Sequence, residues 1–346
     1  MKSKVIDQIR KEIGKRTVEE LVAIYRAHDT GEWSEEAFEA IRQTLQSKGV
    51  SLPEVIPTTR IRGFANIALV NLSLRELCFR LTPERLRQFN HNFVLTPHEC
   101  GSLGDPVIRV QEIARRLADH YRIRVTTVVV TFLSDLKSPG RVELSPSSVF
   151  FVELRSDLRE SENAIVAVLA HEIAHIFLYR EGIRLIPTFH NEVLTDTTAA
   201  FLGCGLTILN GWTVRKSILG NSIETQWNHF GYLSLDEFGY VQAKRDAFFD
   251  SSPVHRFQYA LPQSGFREGQ RRLKMELRKR PFVRPFIFKR VGMALAVFIR
   301  KGRRLEEPKS LTFPCAICSQ SLRIPLLGSR MSVHCPTCGT TLLCYS

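Results

Sequence analysis

The sequence predicts an α+β protein, and three patterns along its 346 residues indicate that class. Residues 1–55 carry the apolar spacing and capping signals of short helices. Residues 105–265 contain an amphipathic helix, runs of β-branched residues and two strongly apolar helices. Residues 309–346 combine two CxxC pairs with short alternating strands. We therefore expect an N-terminal helical unit, a mixed central domain and a small C-terminal β module.

The boundaries between these parts follow from changes in composition and from turn signals. Thr17 and Glu20 form a capping box, Ser34 is a predicted N-cap, and Gly49 and Pro53 end the first unit. No internal repeat is evident. The chain is predicted to contain a helical module (1–55), a partly helical connecting segment (56–104), the central domain (105–265), a basic connector (266–308) and a four-cysteine module (309–346).

Hydrophobic periodicity predicts the elements of these segments. The capping box formed by Ser234 and Glu237 begins a helix that runs to about Phe249. The other predictions are helices over 3–13, 17–28, 34–48, Leu74–Phe89 and Val107–His120, and strands over Val125–Thr131, Ser148–Leu154, Ser321–Pro325 and 340–344.

A metal-binding pattern lies inside the first apolar helix of the central domain. His171, Glu172 and His175 form the sequence His-Glu-x-x-His. Positions i and i+4 share one face of a helix, so both imidazoles can reach one ion, and Glu172 can hold a water beside it. A chance match on a core helix is the alternative, but buried imidazoles and a buried carboxylate are costly without a partner. The pattern therefore favours a metal site.

A third protein ligand is expected, because catalytic zinc usually has three protein ligands and one open position. Glu192 and Asp196 are again spaced i and i+4, in a second apolar helix after Gly182. One carboxylate can complete the site, and the other can accept the free N–H of a ligating histidine. Acidic residues placed for the helix dipole would explain Glu192 but not Asp196.

With these residues in place, the chain resembles the gluzincin metallopeptidases over about residues 105–215. That family carries His-Glu-x-x-His followed by a helix with Asn-Glu-x-x-x-Asp, matched here by Asn191, Glu192 and Asp196. The short separation of the motifs is similar to that of the compact minigluzincins. The resemblance implies a zincin-like fold with zinc on His171, His175 and Glu192, with Glu172 as general base and with Asp196 as partner of a ligating histidine.

A rival for the third ligand is His190, which lies 15 residues after His175. SprT-like proteases, which degrade proteins crosslinked to DNA, use a third histidine at similar spacing and often carry a zinc ribbon. Their Gly-His-Gly setting is absent, since Phe189 and Asn191 flank His190. We therefore prefer Glu192 and keep the SprT-like function as an alternative.

The two CxxC pairs have the spacing of a zinc ribbon. In such a module each pair forms a tight turn, and four thiolates close a tetrahedral structural site. Two disulfides are the alternative. The other four cysteines stand singly and no secretion signal is evident, so metal-bound thiolates in a reducing compartment are expected. The predicted ligands are Cys315, Cys318, Cys335 and Cys338, which brings the expected number of zinc ions to two.

The positive charge is concentrated in one segment. Residues 266–304 contain 14 Lys and Arg and two acids, out of a formal net charge of +13 for the chain. Such a block can bind nucleic acid or an anionic membrane surface, or it can be a solvated connector. The apolar run Gly292–Ile299 is too short to span a membrane, and we predict a cytoplasmic protein. The candidate contacts are Arg271, Arg272, Lys274, Arg278, Lys279 and Arg280.

These observations predict a zinc-dependent peptide-bond hydrolase that uses metal-activated water and Glu172 as general base. A non-catalytic zinc-binding scaffold is a further alternative. An extended substrate is expected to pair with Val149–Leu154 as an edge strand. The candidate donors to the developing oxyanion are Tyr232, His229, Tyr240 and His255.

Overall fold

A computed structural model describes most of the chain. The contacts within the chain define two units, residues 1–60 with 185–192 and residues 61–184 with 193–346. Helices and strands are both well represented, as in an α+β protein. The described residues are 9–10, 13–14, 16–27, 35–50, 61–95, 105–123, 127–219, 222–228, 230–250, 257–279, 281, 310–326 and 330–345.

The first unit contains helices α1 (Val18–Ala27) and α2 (Glu35–Ser47). The capping box before α1 is confirmed, since Thr17 N donates to Glu20 Oε2 at 2.9 Å and Glu20 N donates to Thr17 Oγ1 at 3.2 Å. Ser34 and most of the helix predicted over 3–13 lie outside the described residues. The apolar sides of these helices form a small core of Ile13, Leu21, Phe38, Ile41 and Leu45.

The second unit begins with two helices where one was predicted. Helix α3 (Ile67–Arg80) is followed by the short helix α4 (Pro83–Arg87). Pro83 has no N–H and cannot continue the hydrogen bonds of α3, so α3 ends before it and a new helix begins. Thr82 caps the new helix by accepting a hydrogen bond from Arg85 N at 3.3 Å.

A three-stranded sheet lies beside helix α5 (Pro106–His120). Strand β1 (Thr127–Leu133) runs parallel to β3 (Val149–Arg155), and β2 (Gly140–Val142) runs antiparallel to it. One sheet face is buried against helices, with Val128, Val130, Phe150, Val152 and Leu154 in its core.

The strand order β1-β3-β2 makes the predicted substrate edge wrong. The run Val149–Leu154 belongs to β3, which pairs on both sides and lies in the centre of the sheet. Its apolar residues point to both faces, which is typical of a central strand. Among the described residues the outer edges of the sheet belong to β1 and β2.

The free edge of β1 is partly covered by a side chain from α5. The Gln111 amide donates to Val128 O, and its Oε1 accepts from Val130 N at 3.0 Å. The side chain thereby takes the hydrogen bonds that a further strand would make. No comparable cap covers the outer edge of β2 in the described part of the chain, except that Ser138 Oγ donates to Gly140 O at 2.6 Å.

Two long helices form the centre of this unit. Helix α6 (Glu162–Arg180) is buried on nearly all sides and is capped by Ser161. Helix α7 (Thr188–Ala199) continues through a π-helical turn, Ala200–Cys204, into α8 (Gly205–Gly211). At the turn Gly203 has φ 123°, a conformation that favours glycine.

The continuous helix Thr188–Gly211 is long and apolar enough to cross a membrane by length and composition alone. The protein itself buries 83% of its most apolar window. That burial is typical of a core helix of a soluble protein. The cytoplasmic location stays a prediction.

Two further helices of this unit cross with their backbones in close contact. Helix α9 (Leu235–Phe248) packs on α10 (Ala260–Leu277), and Gly239, Gly265 and Gly269 line the crossing. The first residues of the predicted basic connector are therefore part of a packed helix. Between α8 and α9 the chain forms a hairpin of β4 (Thr213–Leu219) and β5 (Ser222–Asn228), which was not predicted.

The C-terminal module consists of two similar hairpins. Strands β6 (Ser310–Pro314) and β7 (Ser321–Pro325) form the first, and β8 (Arg330–His334) and β9 (Thr341–Tyr345) form the second. Each hairpin carries one CxxC pair at its turn. The prediction that the chain has no internal repeat is therefore wrong for this module. Its two hairpins repeat the same structure, with equivalent positions 20 residues apart, such as Cys315 and Cys335.

Candidate metal centres

Helices α6 and α7 bring three side chains of the predicted site together. His171 Nε2 and His175 Nε2 are 3.1 Å apart. One carboxylate oxygen of Glu192 lies within 4.8 Å of a ring nitrogen of each histidine. Two nitrogens bound tetrahedrally to one zinc ion would be about 3.3 Å apart, given Zn–N bonds of about 2.05 Å. The three side chains therefore fit a metal ion of this kind.

Asp196 fixes the orientation of His171. Its Oδ1 lies 2.7 Å from His171 Nδ1, and a donating Nδ1–H makes Nε2 the ring atom that can bind a metal. Its Oδ2 accepts from the backbone N–H groups of Tyr232, at 2.5 Å, and Leu233, at 3.1 Å. A Cβ at Gly231 would come within 2.6 Å of both carboxylate oxygens, so this backbone approach requires glycine. Asp196 is 1% exposed, and these donors hold its charge in the core.

Thr195 gives His175 an equivalent partner. Its Oγ1 lies 3.1 Å from His175 Nδ1, on the ring side opposite Nε2. Both histidines thus have an oriented Nδ1, so both Nε2 atoms face the same point. Thr195 was not predicted from the sequence, although its place one residue before Asp196 could have indicated it.

Glu172 belongs to α6, and its side chain is buried against the edge strand β2. It is 6% exposed, and a Cβ at Gly140 would come within 2.8 Å of its Oε1 and 2.5 Å of Val168 Cγ1. Because Gly140 has no Cβ, β2 can lie directly beside Glu172. This glycine was also not predicted, because a three-residue strand gives little periodic signal.

The four predicted oxyanion donors have different positions. The Tyr232 ring lies 6.1 Å from the His171 ring, centroid to centroid. The Tyr240 hydroxyl instead donates to Glu276 Oε2 at 2.7 Å, and burial together with this carboxylate raises its pKa. These contacts place the Tyr240 hydroxyl in a cluster with Glu276 and Asn71, and its role as an oxyanion donor stays a prediction. His229 and His255 lie outside the described residues.

The structure places Glu192, rather than His190, in the three-residue group. The His190 ring lies beside Phe189, with centroids 6.4 Å apart. We expect Glu192→Gln to weaken metal binding by more than the ~10- to 100-fold typical of residues that only orient ligands. His190→Ala is the matched control and should keep its metal. Elemental analysis of both variants checks this, and loss of metal from the His190 variant alone would favour the SprT-like site.

The four cysteines of the C-terminal module form a second candidate metal centre. Cys315 Sγ and Cys338 Sγ are 3.8 Å apart, and Cys318 Sγ and Cys335 Sγ are 3.6 Å apart. Tetrahedral zinc with bonds of about 2.3 Å requires sulfur atoms about 3.8 Å apart. The described cysteines are free thiols, including the four. The geometry fits a structural metal site, whereas the identity of the ion is a proposal.

The two turns that carry these cysteines have the same hydrogen bonds. Cys315 N donates to Gln320 O at 2.7 Å, and Cys335 N donates to Thr340 O at 2.9 Å. Ser319 and Gly339 occupy equivalent positions with positive φ, 60° and 71°. These hydrogen bonds and positive φ angles direct the two thiols of each pair to one point, as the CxxC spacing predicts.

The described part of the basic block lies mostly on α10. Arg267, Arg271, Lys274 and Arg278 are exposed and, at i, i+4, i+7 and i+11, share one helix face. Arg271 also pairs with Glu268, at 2.6 Å. Arg272 is less exposed, pairs with Glu276 at 3.3 Å and lies over the Phe64 ring. Lys279 is exposed, and Arg280 lies outside the described residues. Binding of nucleic acid or a membrane surface by this block stays a prediction.

Comparisons with known proteins complete the description of these sites. The chain matches no protein-family model, no curated protein and no solved structure. The structure is therefore that of an α+β protein, and its described residues contain two candidate metal-binding groups, one of two histidines and a glutamate and one of four cysteines.

Proposed function

We propose that this protein is a zincin-like, metal-dependent peptide-bond hydrolase of the gluzincin type. The observation that supports it best is the convergence of His171, His175 and Glu192, together with the buried Glu172 that follows His171 directly in the chain. A purely structural metal site has no use for a carboxylate that is held beside the metal without being a ligand. A hydrolase needs one as a base.

The chemistry divides between the metal and the protein side chains. A zinc ion held by His171, His175 and Glu192 would activate a water molecule and polarise the scissile carbonyl. Glu172 is placed to accept a proton from water and to return it to the leaving amine. Asp196 and Thr195 keep the two imidazoles oriented, as their hydrogen bonds indicate. Of the two candidate oxyanion donors that the structure describes, we propose Tyr232, because its ring lies 6.1 Å from the His171 ring.

The edge of β2 is the proposed place for an extended substrate. Arg155 N donates to Pro139 O, and Glu143 N donates to Phe151 O. Backbone groups alternate between the two sides of a strand, so those of Gly140 and Val142 face away from β3. Ser138 Oγ donates to Gly140 O, so Val142 carries the outward groups that we propose for the substrate. Gly140 lies beside Glu172, whereas Gln111 occupies Val128 O and Val130 N on β1. A peptide added along β2 would therefore lie next to the base.

Val142→Pro tests the substrate edge. Proline removes one N–H from the outer edge and is tolerated on edge strands. We expect kcat/KM for extended peptides to fall by about tenfold or more, because a backbone hydrogen bond to substrate is lost and the ring obstructs the edge. Arg141→Ala, on the same strand with its backbone groups directed to β3, is the control. Unchanged kinetics in a folded Val142→Pro variant would place the substrate elsewhere.

The proposed activity itself is tested by metal removal and return. The full chain would be stripped with a chelator, reloaded with zinc, and incubated with an unfolded protein and a peptide library. Cleavage that disappears and returns with the metal supports the hydrolase. No cleavage by the reloaded chain on any of these substrates would instead favour the non-catalytic scaffold.

A further inference from the structure

A lysine is buried next to the four-cysteine centre. Lys244, in the third turn of α9, is 1% exposed. Its Nζ donates to Asn71 Oδ1 at 3.0 Å, to Ile317 O at 3.2 Å and to Ser319 Oγ at 3.4 Å. The last two acceptors belong to the first cysteine turn. A buried ammonium group is costly, so its position requires a compensating interaction.

The four-cysteine centre can supply that compensation. Four thiolates and one divalent ion leave an excess of negative charge. A centre buried against protein must balance this charge, because water no longer screens it. Burial lowers the pKa of Lys244 to about 8, while Glu276 and the thiols of Cys315 and Cys318 favour its charged form. The lysine and the centre are thus complementary in charge.

Other contacts place the same face of the module against α3 and α4. A Cβ at Gly339 would come within 3.0 Å of Pro83 Cβ and 3.4 Å of Arg87 Nη2. Cys78 of α3 is 1% exposed, and its pKa is raised by burial and by the thiols of Cys338 and Cys335. Both cysteine turns therefore lie against helices of the second unit. Lys244 is the cationic neighbour of the first turn, and Arg87 is that of the second.

We propose that Lys244 balances the charge of the metal-loaded four-cysteine centre and holds the C-terminal module against α9 as a fixed part of the second unit. This role goes beyond the proposed hydrolase and does not depend on it. Lys244 is a positioning residue, since it contacts the turn that carries the ligands rather than the metal.

The first test measures how long the centre keeps its metal. The full chain would be loaded with cobalt, whose thiolate absorption reports only the cysteine centre, and challenged with a chelator. We expect Lys244→Met to release cobalt about 10- to 100-fold faster than wild type, as is typical when a partner of a metal site is removed. Lys48→Met, which removes an exposed lysine directly after α2, should match wild type.

A second neutral variant shows whether faster cobalt release comes from the loss of charge or from a folding defect of Lys244→Met. Lys244→Gln keeps a hydrogen-bond donor but removes the charge, so it should also release cobalt at least about tenfold faster if charge balance is the cause. Lys244→Arg should recover part of the wild-type rate. A folded neutral variant that holds cobalt within about twofold of wild type would overturn the proposal, since outer partners usually contribute at least tenfold.

A thermal-unfolding cycle tests the docking separately. Cys315→Ser with Cys318→Ser removes the centre, and Lys244→Met removes its partner. If the module is docked through Lys244, the combined loss in Tm should be smaller than the sum of the separate losses. Strictly additive losses would show that the centre and α9 are independent and would overturn the docking.

Discussion

Replacing Glu172 with glutamine is expected to leave the metal in place and to lower peptide hydrolysis by about 100- to 10,000-fold, the usual contribution of a positioned acid–base group. The amide has nearly the size of the carboxylate, so the tight contact with Gly140 should persist. It cannot accept a proton from water at neutral pH. The measurement is cleavage of the same peptide by both forms after their zinc content has been shown to be equal.

Glu162→Gln is the matched control for this variant. Glu162 lies in the first turn of the same helix, half-exposed and 3.8 Å from Arg109. Its loss should leave hydrolysis near the wild-type level, because the pair is weakly stabilising at most. Equal cleavage by wild type and Glu172→Gln would indicate a contaminating peptidase or a mechanism without this base.

Replacing Gly269 with alanine is expected to cost about 3 kcal/mol or more in the free energy of unfolding. A Cβ there would lie 2.1 Å from Gly239 C and from Tyr240 N. Both are backbone atoms of α9, so α10 must move away and give up the burial of Phe266 and Leu273. The usual gain in helix propensity from glycine to alanine is much smaller than this cost.

Urea unfolding of the full chain measures this effect. Gln263→Ala is the control, because Gln263 is exposed on the same helix and its replacement should change stability by only a few tenths of a kcal/mol. A folded Gly269→Ala variant with wild-type stability would mean that the two helices do not cross at this distance.

The sequence predicted the elements whose signals are local. Ser234 and Glu237 form the expected capping box, and α9 ends within one residue of the expected position. Helix α5 begins one residue before the predicted Val107 and ends at the predicted His120. The HExxH helix was recognisable because its whole surface is apolar apart from the metal-binding pattern.

Long-range contacts were not predictable in the same way. Nothing in the sequence around Lys244 indicates that its ammonium group lies beside cysteines more than seventy residues later. Gly140 and Gln111 likewise act on partners in other elements. The position of Val149–Leu154 was predictable in part, since a strand with apolar side chains on both faces usually lies inside a sheet. Its order relative to β2 depends on a strand of three residues that has too few positions to show a period.

The Gln111 cap on β1 has a consequence for how copies of this protein can associate. A fibre built by strand addition needs two receptive borders on every copy, one to receive the previous molecule and one to offer to the next. Within the described sheet, Gln111 takes Val128 O and Val130 N on one border, so that border is less receptive than the β2 border. Two copies could join through their β2 borders, and growth would stop at that pair. Strand addition at the β1 border is thereby disfavoured, while the edge proposed for the substrate keeps the outward backbone groups of Val142.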